Sequence, residues 1–208
     1  MIPTVTGGSS LTTPNQPEDL PPQQAVSSDA QAAQPAKSLL REVLETIGLA
    51  LVIFLIVRTF VMNYRVVGHS MVPTIQEGQF LLIDKIGYTL FERPQRGDII
   101  VFNPPNIVGQ IYIKRVIGLP GEVVELRDGR VFINGEPLAE EWQTIPAPAA
   151  RWGPAQVGKN EVFVLGDNRP GSLDSRYFGM LPRDRIIGRA LLCYWPPSAW
   201  TIYPRYGQ

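Results

Sequence analysis

The chain has 208 residues, no formal net charge at neutral pH, one cysteine and one histidine. An internal disulfide needs two cysteines and a structural zinc site needs about four cysteine or histidine ligands, so the composition excludes both. It contains no basic block or stripe, which argues against a nucleic-acid partner. Its 20 prolines and 19 glycines favour loops and short strands over long helices.

The first 36 residues contain neither lysine nor arginine and are rich in proline, glutamine, serine, threonine and alanine. A segment of this composition buries too little apolar surface to offset the entropy lost on ordering. The sequence therefore predicts a disordered tail over residues 1–36.

Residues 37–62 are far more hydrophobic, and the run from Leu49 to Val57 is uninterrupted apolar sequence. About 20 residues of apolar helix span the hydrocarbon layer of a bilayer. The segment is not followed by a small-x-small cleavage site, which disfavours a cleaved signal peptide. A core helix of a soluble protein is the other alternative. We interpret residues 37–62 as a single transmembrane anchor.

Charge does not orient this anchor. Two basic residues precede the apolar run and two follow it: Lys37, Arg41, Arg58 and Arg65. The positive-inside rule therefore does not decide which end of the anchor faces the cytoplasm.

After the anchor, short apolar runs alternate with glycine and proline, a pattern typical of strands. Such runs cover residues 79–84, 98–102, 111–117, 122–126, 130–133, 161–165 and 186–195. Asp128-Gly129 separates two of them and is typical of a tight hairpin turn. We expect a mainly β protein: an antiparallel barrel- or sandwich-like domain over residues 63–208, with a Pro/Ala-rich loop at about 143–156, behind one N-terminal transmembrane helix.

Ser70 lies between the anchor and the first strand-like run, and it needs a base to act as a nucleophile. His69 is the only histidine, but neighbours in an extended chain point to opposite faces. Cys193 lies in an apolar run typical of a core strand, where a thiol usually serves only packing. Lysine is the remaining base.

The chain has four lysines: Lys37, Lys85, Lys114 and Lys159. Lys114 lies inside the apolar run 111–117, where period-two alternation places it on one face with Tyr112 and Val116. Partial burial there would lower its pKa, since burial disfavours the charged form. At the ordinary pKa, only about one lysine in 2,500 is neutral at pH 7. The alternative is a lysine whose stem lies on the strand and whose ammonium reaches water.

Four segments behind the anchor together resemble bacterial type I signal peptidases, which are membrane-anchored Ser/Lys proteases. These are residues 70–74, 97–102, 114–121 and 166–176. The similarity covers most of residues 38–195.

The resemblance implies that Ser70 is the nucleophile and Lys114 its general base. Ser172 would orient that lysine through its hydroxyl, and Asp174 and Arg176 would form a supporting ion pair. The backbone N–H of Ser70 would contribute to the oxyanion hole.

Three further residues, Met71, Ile75 and Tyr112, would line pockets for the small residues at positions −1 and −3 of the substrate, again by resemblance. Some relatives carry a serine two positions before the nucleophile, whose hydroxyl adds to the oxyanion hole. That position is Gly68 here, so this hydroxyl is absent.

The resemblance also implies an enzyme that removes signal peptides from secreted preproteins after small residues, with no cofactor and no metal. Its partners would be preproteins and membrane lipid. It would be a single-pass protein of the cell membrane, or of a thylakoid membrane, with the β domain on the extracytoplasmic side. All four tryptophans are candidates for lipid contact, although we expect Trp195 in the core: Trp142, Trp152, Trp195 and Trp200.

Two alternatives stay open. The first is a self-cleaving Ser/Lys peptidase that acts on its own linker; the apolar anchor and the missing DNA-binding region count against it. The second is a membrane-anchored β module that binds a partner without chemistry, in which Ser70 and Lys114 have no role.

Overall fold

A computed structural model of the chain describes residues 36–88, 93–142 and 151–205. The predicted tail, apart from Ala36, lies outside the described residues. So does the part of the predicted loop that covers residues 143–150.

The apolar segment forms one helix, α1 (Ala36–Phe60, 25 residues), which is about 37 Å long at 1.5 Å per residue. Within the described residues it is the single helix long and apolar enough to cross a membrane, over Leu39–Phe60. Its large apolar side chains are exposed; Phe54, for example, is 55% exposed. A helix that is apolar all round and buried against no protein is typical of a membrane span rather than a soluble core.

The rest of the described chain is built from twelve strands in two antiparallel sheets, which confirms the predicted mainly β class. The strands are β1 (Val61–Arg65), β2 (Phe80–Asp84), β3 (Ile99–Phe102), β4 (Tyr112–Gly118), β5 (Val123–Arg127), β6 (Arg130–Ile133), β7 (Glu136–Pro137), β8 (Trp152–Gln156), β9 (Glu161–Leu165), β10 (Leu181–Pro182), β11 (Ile186–Trp195) and β12 (Thr201–Ile202). The large sheet has the order β1-β2-β11-β3-β4-β9-β10, with β12 paired to β11, and the small sheet has the order β7-β6-β5-β8. One helical turn, α2 (Ser175–Phe178), follows β9.

Every predicted strand-like run forms a strand, and the structure adds five that the pattern missed: β1, β7, β8, β10 and β12. Strand β1 starts at Val61, inside the segment predicted as anchor, so the helix ends two residues early. Strand β8 lies inside the predicted loop, which is therefore wrong over Trp152–Gln156. Pairing with β5 and the contact of Trp152 with Phe163, at 4.5 Å between ring centroids, outweigh the local Pro/Gly composition.

Strand β3 lies in the middle of the large sheet and is buried on both faces. Ile99 and Val101 pack into one hydrophobic cluster, while Ile100 and Phe102 pack into another on the opposite face. The unbroken apolar sequence of this strand follows from burial on both sides. Strand β4 pairs with it and inherits the same two-sided burial, so polar side chains on β4 are forced into the protein interior.

Gly188 provides a test of this packing. It lies at an irregularity in the pairing of β11 with β3, and an added Cβ would stand 2.1 Å from the backbone oxygen of Asp84. We expect Gly188→Ala to destabilise the fold by about 3 kcal/mol, since the backbone of β2 must move. Thermal unfolding of the detergent-solubilised protein should shift down by about 10 °C. The control is Gly48→Ala in α1, where nothing lies within 4 Å of the new methyl group; equal melting temperatures for the two variants would contradict the packing.

Candidate active site

Ser70 lies in the loop between β1 and β2. Backbone hydrogen bonds close the base of this loop, from Val66 N–H to Gln79 O and from Gly78 N–H to Val66 O, both 2.9 Å. Beyond Ser70 the chain makes a tight turn in which Ile75 N–H donates to Met71 O at 2.9 Å. The serine is thus presented by a short loop whose two ends are joined.

A second loop, which follows β9, holds the Ser70 loop from the other side. Asn168 donates from its backbone N–H to Ser70 O and from its side-chain amide to His69 O, each at 3.0 Å. The carboxylate of Asp167 accepts a hydrogen bond from the Thr74 hydroxyl at 2.6 Å. Gly166 makes this approach possible, because a Cβ there would lie 2.5 Å from Ser70 O.

Asp167 also joins this loop to β4. The guanidinium of Arg115 donates to both carboxylate oxygens of Asp167, at 2.9 and 2.7 Å, and to Gly97 O at 2.9 Å. Both side chains of the pair are buried. A bidentate buried pair fixes direction as well as distance. The carboxylate of Asp167 therefore fixes the position of the Ser70 loop relative to β4.

Lys114, the neighbour of Arg115 on β4, points to the opposite face and reaches Ser70. Its Nζ donates to Ser70 Oγ at 2.7 Å and to Ile113 O at 2.9 Å. The lysine is only 4% exposed. The structure therefore brings together the two residues that sequence reasoning paired from 44 positions apart.

Burial lowers the pKa of Lys114 to about 8, while the charges of Asp174 and Asp167 oppose the shift. At that pKa about one lysine in ten is neutral at pH 7, compared with about one in 2,500 at the ordinary value. A neutral amine hydrogen-bonded to a hydroxyl is the arrangement that general-base catalysis requires. The predicted physical effect, desolvation on a β-strand, is the main cause.

The ion pair predicted for the loop after β9 is formed. Arg176 donates to both oxygens of Asp174, at 2.8 and 2.9 Å, and Asp174 also accepts from Gly166 N–H at 3.1 Å. Ser172 is buried beside Gly166, but the structure has no hydrogen bond between its hydroxyl and Lys114. Within the described residues the Ser172 hydroxyl has no partner, so its predicted role stays a prediction.

An open cleft of about 430 Å³ surrounds Ser70 and Lys114 and is lined in part by Gly68, His69, Tyr112 and Leu173. Tyr112 thus lies where a substrate-contacting residue should. Met71 and Ile75 do not line this cleft; they are buried in the core beneath the loop, at 1% and 0% exposure. Their predicted contact with substrate stays a prediction.

The other candidate bases and nucleophiles lie elsewhere. The His69 ring is paired with Glu77, at 3.3 Å between Nε2 and Oε2, rather than with Ser70. Cys193 is fully buried in the core, and burial raises the pKa of its thiol. No cluster of three or more His, Cys, Asp or Glu residues able to hold a metal ion occurs in residues 36–88, 93–142 and 151–205.

Sequence reasoning did not assign the four residues that hold the site together: Thr74, Arg115, Asp167 and Asn168. All of them fall inside the segments that resemble the signal peptidases, so the sequence indicated the segments in which they lie. An arginine within an apolar strand and an aspartate after another strand were the available signal. The sequence did not predict that Asp167 pairs with Arg115 and Thr74, because these residues lie on loops and strands that are distant in the chain.

Comparison with known proteins identifies the family. Residues 40–195 match the family model of signal peptidase, peptidase S26. The chain is 46% identical over 187 residues to a signal peptidase I of Leptolyngbya laminosa, a match that covers 86% of this chain and 91% of that protein. It is 38% identical over 146 residues to the chloroplast thylakoidal processing peptidase 1 of Arabidopsis thaliana, covering 64% of this chain and 42% of that protein.

A crystal structure of a signal peptidase I from Enterococcus faecalis also matches, with 38% identity and a TM-score of 0.43, and covers 47% of this chain and 97% of that one. The family model extends over the anchor's apolar core, the Ser70 loop, β4 and the loop after β9. This chain belongs to the signal peptidase I family, peptidase S26, whose members remove signal peptides from preproteins.

Proposed function

We propose that the chain cleaves signal peptides with a Ser70–Lys114 dyad. The observation that carries this proposal is the 2.7 Å hydrogen bond from Lys114 Nζ to Ser70 Oγ, made by a buried lysine at the floor of an open cleft. Substrate can reach the serine from the cleft, while the lysine is shielded from water. The dyad needs no metal and no cofactor.

Acylation begins when neutral Lys114 takes the hydroxyl proton of Ser70. The Ser70 oxygen then attacks the scissile carbonyl of the signal peptide, and backbone donors that include Ser70 N–H stabilise the oxyanion. As the C–N bond breaks, Lys114 returns its proton to the leaving amine, and the mature protein departs. The signal peptide stays esterified to Ser70 until Lys114 activates a water that hydrolyses the ester.

The lysine is oriented by the groups around it. In its protonated form the Nζ has three N–H donors, and two of them point towards Ser70 Oγ and Ile113 O; on losing a proton the amine keeps two donors and turns its lone pair to the Ser70 hydroxyl. The buried Ser172 hydroxyl, which has no partner within the described residues, fits the role of the third acceptor. The bidentate pair of Asp174 and Arg176 supports the loop that carries Ser172.

The size of the cleft supports the proposed substrate class. Its volume of about 430 Å³ is at the lower end for ligand clefts. Tyr112 and Leu173 contribute side chains to its wall. We assign to it the short side chains that precede the scissile bond, with Met71 and Ile75 forming the packed layer below the loop.

The dyad is tested by Ser70→Ala and Lys114→Ala in full-length protein with a purified preprotein. Each variant should lose more than about 1,000-fold in kcat, because the nucleophile and its base act as one unit. Exposed residues of the same types, changed as Ser198→Ala and Lys159→Ala, are matched controls that should keep wild-type rates. Full activity in either dyad variant would show the assignment to be wrong.

The pH dependence tests the state of the lysine. Because the folded pKa of Lys114 is lowered to about 8, the reactive neutral form is lost as pH falls through that value. Below pH 8, kcat/KM should drop about tenfold per pH unit, giving an acidic limb with an apparent pKa near 8. The measurement is kcat/KM from pH 5.5 to 9.5 with a substrate that has no titrating group. An acidic limb centred near pH 4 would point to a carboxylate base instead.

We assign the three segments of the chain to three locations. Residues 1–36 face the cytoplasm, α1 spans the membrane, and the β domain lies on the extracytoplasmic side. Ser70 follows the last residue of α1 by ten positions, so the cleft stays near the membrane where signal peptides emerge. The relative named as a thylakoidal processing peptidase supports a thylakoid membrane as a second location.

Topology is measurable because the sole native cysteine, Cys193, is buried. Lys159→Cys, at an exposed position of the β domain outside the tryptophan-rich end, should react with a membrane-impermeant maleimide on intact cells, whereas Ser9→Cys should react only after lysis. The reverse pattern would invert the proposed orientation. Fractionation of the labelled membranes identifies which membrane holds the protein.

The β domain also contacts lipid through one exposed apolar patch, defined by Trp195, Trp200 and Ile202, which are 54%, 61% and 60% exposed. The expectation that Trp195 packs in the core is wrong, because β11 extends past the core at its last residues. Aromatic side chains of this kind are typical of the membrane interface. Trp142 and Trp152 instead pack against a core cluster and are not part of the patch.

Tryptophan quenching by brominated phosphatidylcholine measures this contact in the reconstituted full-length protein. In the wild type the lipid should quench a large fraction of the fluorescence. The double variant Trp195→Phe/Trp200→Phe should lose most of that quenching, whereas Trp152→Phe should increase the quenched fraction. Equal quenching in the double variant and the wild type would show that the patch does not contact lipid.

A further inference from the structure

The carboxylate of Glu77 touches the two residues that precede Ser70. Its Oε1 accepts a hydrogen bond from Gly68 N–H at 3.2 Å, and its Oε2 lies 3.3 Å from His69 Nε2. Both contacts bridge the Ser70 loop from its second half back to its first half. Gly68 and His69 line the cleft beside the serine.

Gly68 has a backbone conformation that needs support. Its φ is +89°, in the region that side-chain-bearing residues rarely adopt, and open space surrounds the position where a Cβ would stand. Gly68 therefore has no side chain whose packing could fix this conformation. A glycine in open space has many accessible conformations, and the Glu77 hydrogen bond selects one of them.

The contacts on the Ser70 loop divide into two sets. The loop after β9 holds the backbone oxygens of His69 and Ser70 through Asn168. Glu77 holds the N–H of Gly68, on the opposite side of His69. The peptide that leads into the nucleophile is thus held at both ends, once by a buried loop and once by an exposed carboxylate.

We propose that Glu77 is a positioning residue for the reaction, which keeps the Gly68–His69 backbone in the conformation that presents Ser70 to the substrate. This inference rests on the proposed role of Ser70. Glu77 acts through its acceptor oxygen on Gly68 N–H, and the ion pair with exposed His69 is secondary, since exposed pairs contribute little. An amide oxygen at the same position therefore suffices.

The proposal is tested with full-length protein and a purified preprotein, measuring kcat, KM and thermal unfolding for each variant. Glu77→Ala should lower kcat about tenfold with KM changed less than twofold and an unfolding temperature within about 2 °C of the wild type. Glu77→Gln keeps the acceptor for Gly68 N–H and should stay within about twofold of the wild-type kcat. Gln76→Ala, an exposed neighbour in the same loop, is the matched control and should match the wild type.

Two further variants separate the possible causes. His69→Ala removes the ion pair but keeps the Gly68 hydrogen bond, so it should lose clearly less kcat than Glu77→Ala. Ser70→Ala tests the dyad itself: if it is inactive while Glu77→Ala is fully active, only the role of Glu77 is refuted. An active Ser70→Ala refutes the dyad instead.

The remaining outcomes also decide the question. Loss of kcat in Glu77→Gln equal to that in Glu77→Ala would refute the acceptor role, as would an equal loss in His69→Ala. A fall in unfolding temperature that accompanies the loss of kcat would show that Glu77 serves stability alone.

Discussion

The site depends on one buried amine. Lys114 is 4% exposed and its Nζ lies 2.7 Å from Ser70 Oγ. Burial that lowers its pKa from 10.5 to about 8 corresponds to about 3 kcal/mol at 1.36 kcal/mol per unit. The sign is unfavourable to folding: below pH 8 the folded state carries this penalty, and the penalty disappears above the ordinary lysine pKa. The rest of the domain must supply that free energy.

Two-sided burial of β3 and β4 is what supplies it. Apolar side chains from alternate positions of β3 enter separate clusters on the two faces of the large sheet, so β4 beside it has no solvent-facing side. One consequence is that Lys114 and Arg115, adjacent on β4, are both buried on opposite faces. Arg115 is neutralised by Asp167, whereas the Lys114 Nζ hydrogen-bonds to a hydroxyl and a carbonyl. The same strand therefore carries a paired cation, Arg115, and a buried amine, Lys114, whose pKa is lowered.

Family membership decides between the alternatives that the sequence left open. The family model matches residues 40–195, and the relative from Leptolyngbya laminosa is similar over 91% of its length. These matches favour an enzyme that removes signal peptides over a self-cleaving peptidase or a binding module. Within that enzyme, polar contacts from Asn168, Asp167 and Glu77 hold a loop whose own sequence, rich in turn-forming residues, has little intrinsic order.

The sequence by itself predicted the long apolar helix, seven of the twelve strands of the described residues and the pairing of Ser70 with Lys114. Hydropathy identifies α1, and short apolar runs separated by glycine and proline identify β2 to β6, β9 and β11, because these signals depend on neighbouring residues only. Elimination of His69 and Cys193 left lysine as the candidate base, and the chain has only four lysines. Only the tertiary structure decided that β8 forms in a Pro/Ala-rich segment, that Trp195 is exposed and that Met71 and Ile75 lie below the cleft. It also decided that Asp167 joins Arg115 to Thr74. These features depend on contacts between residues far apart in the chain. Hydropathy and strand patterns describe neighbouring residues, so they do not predict which distant residues come into contact.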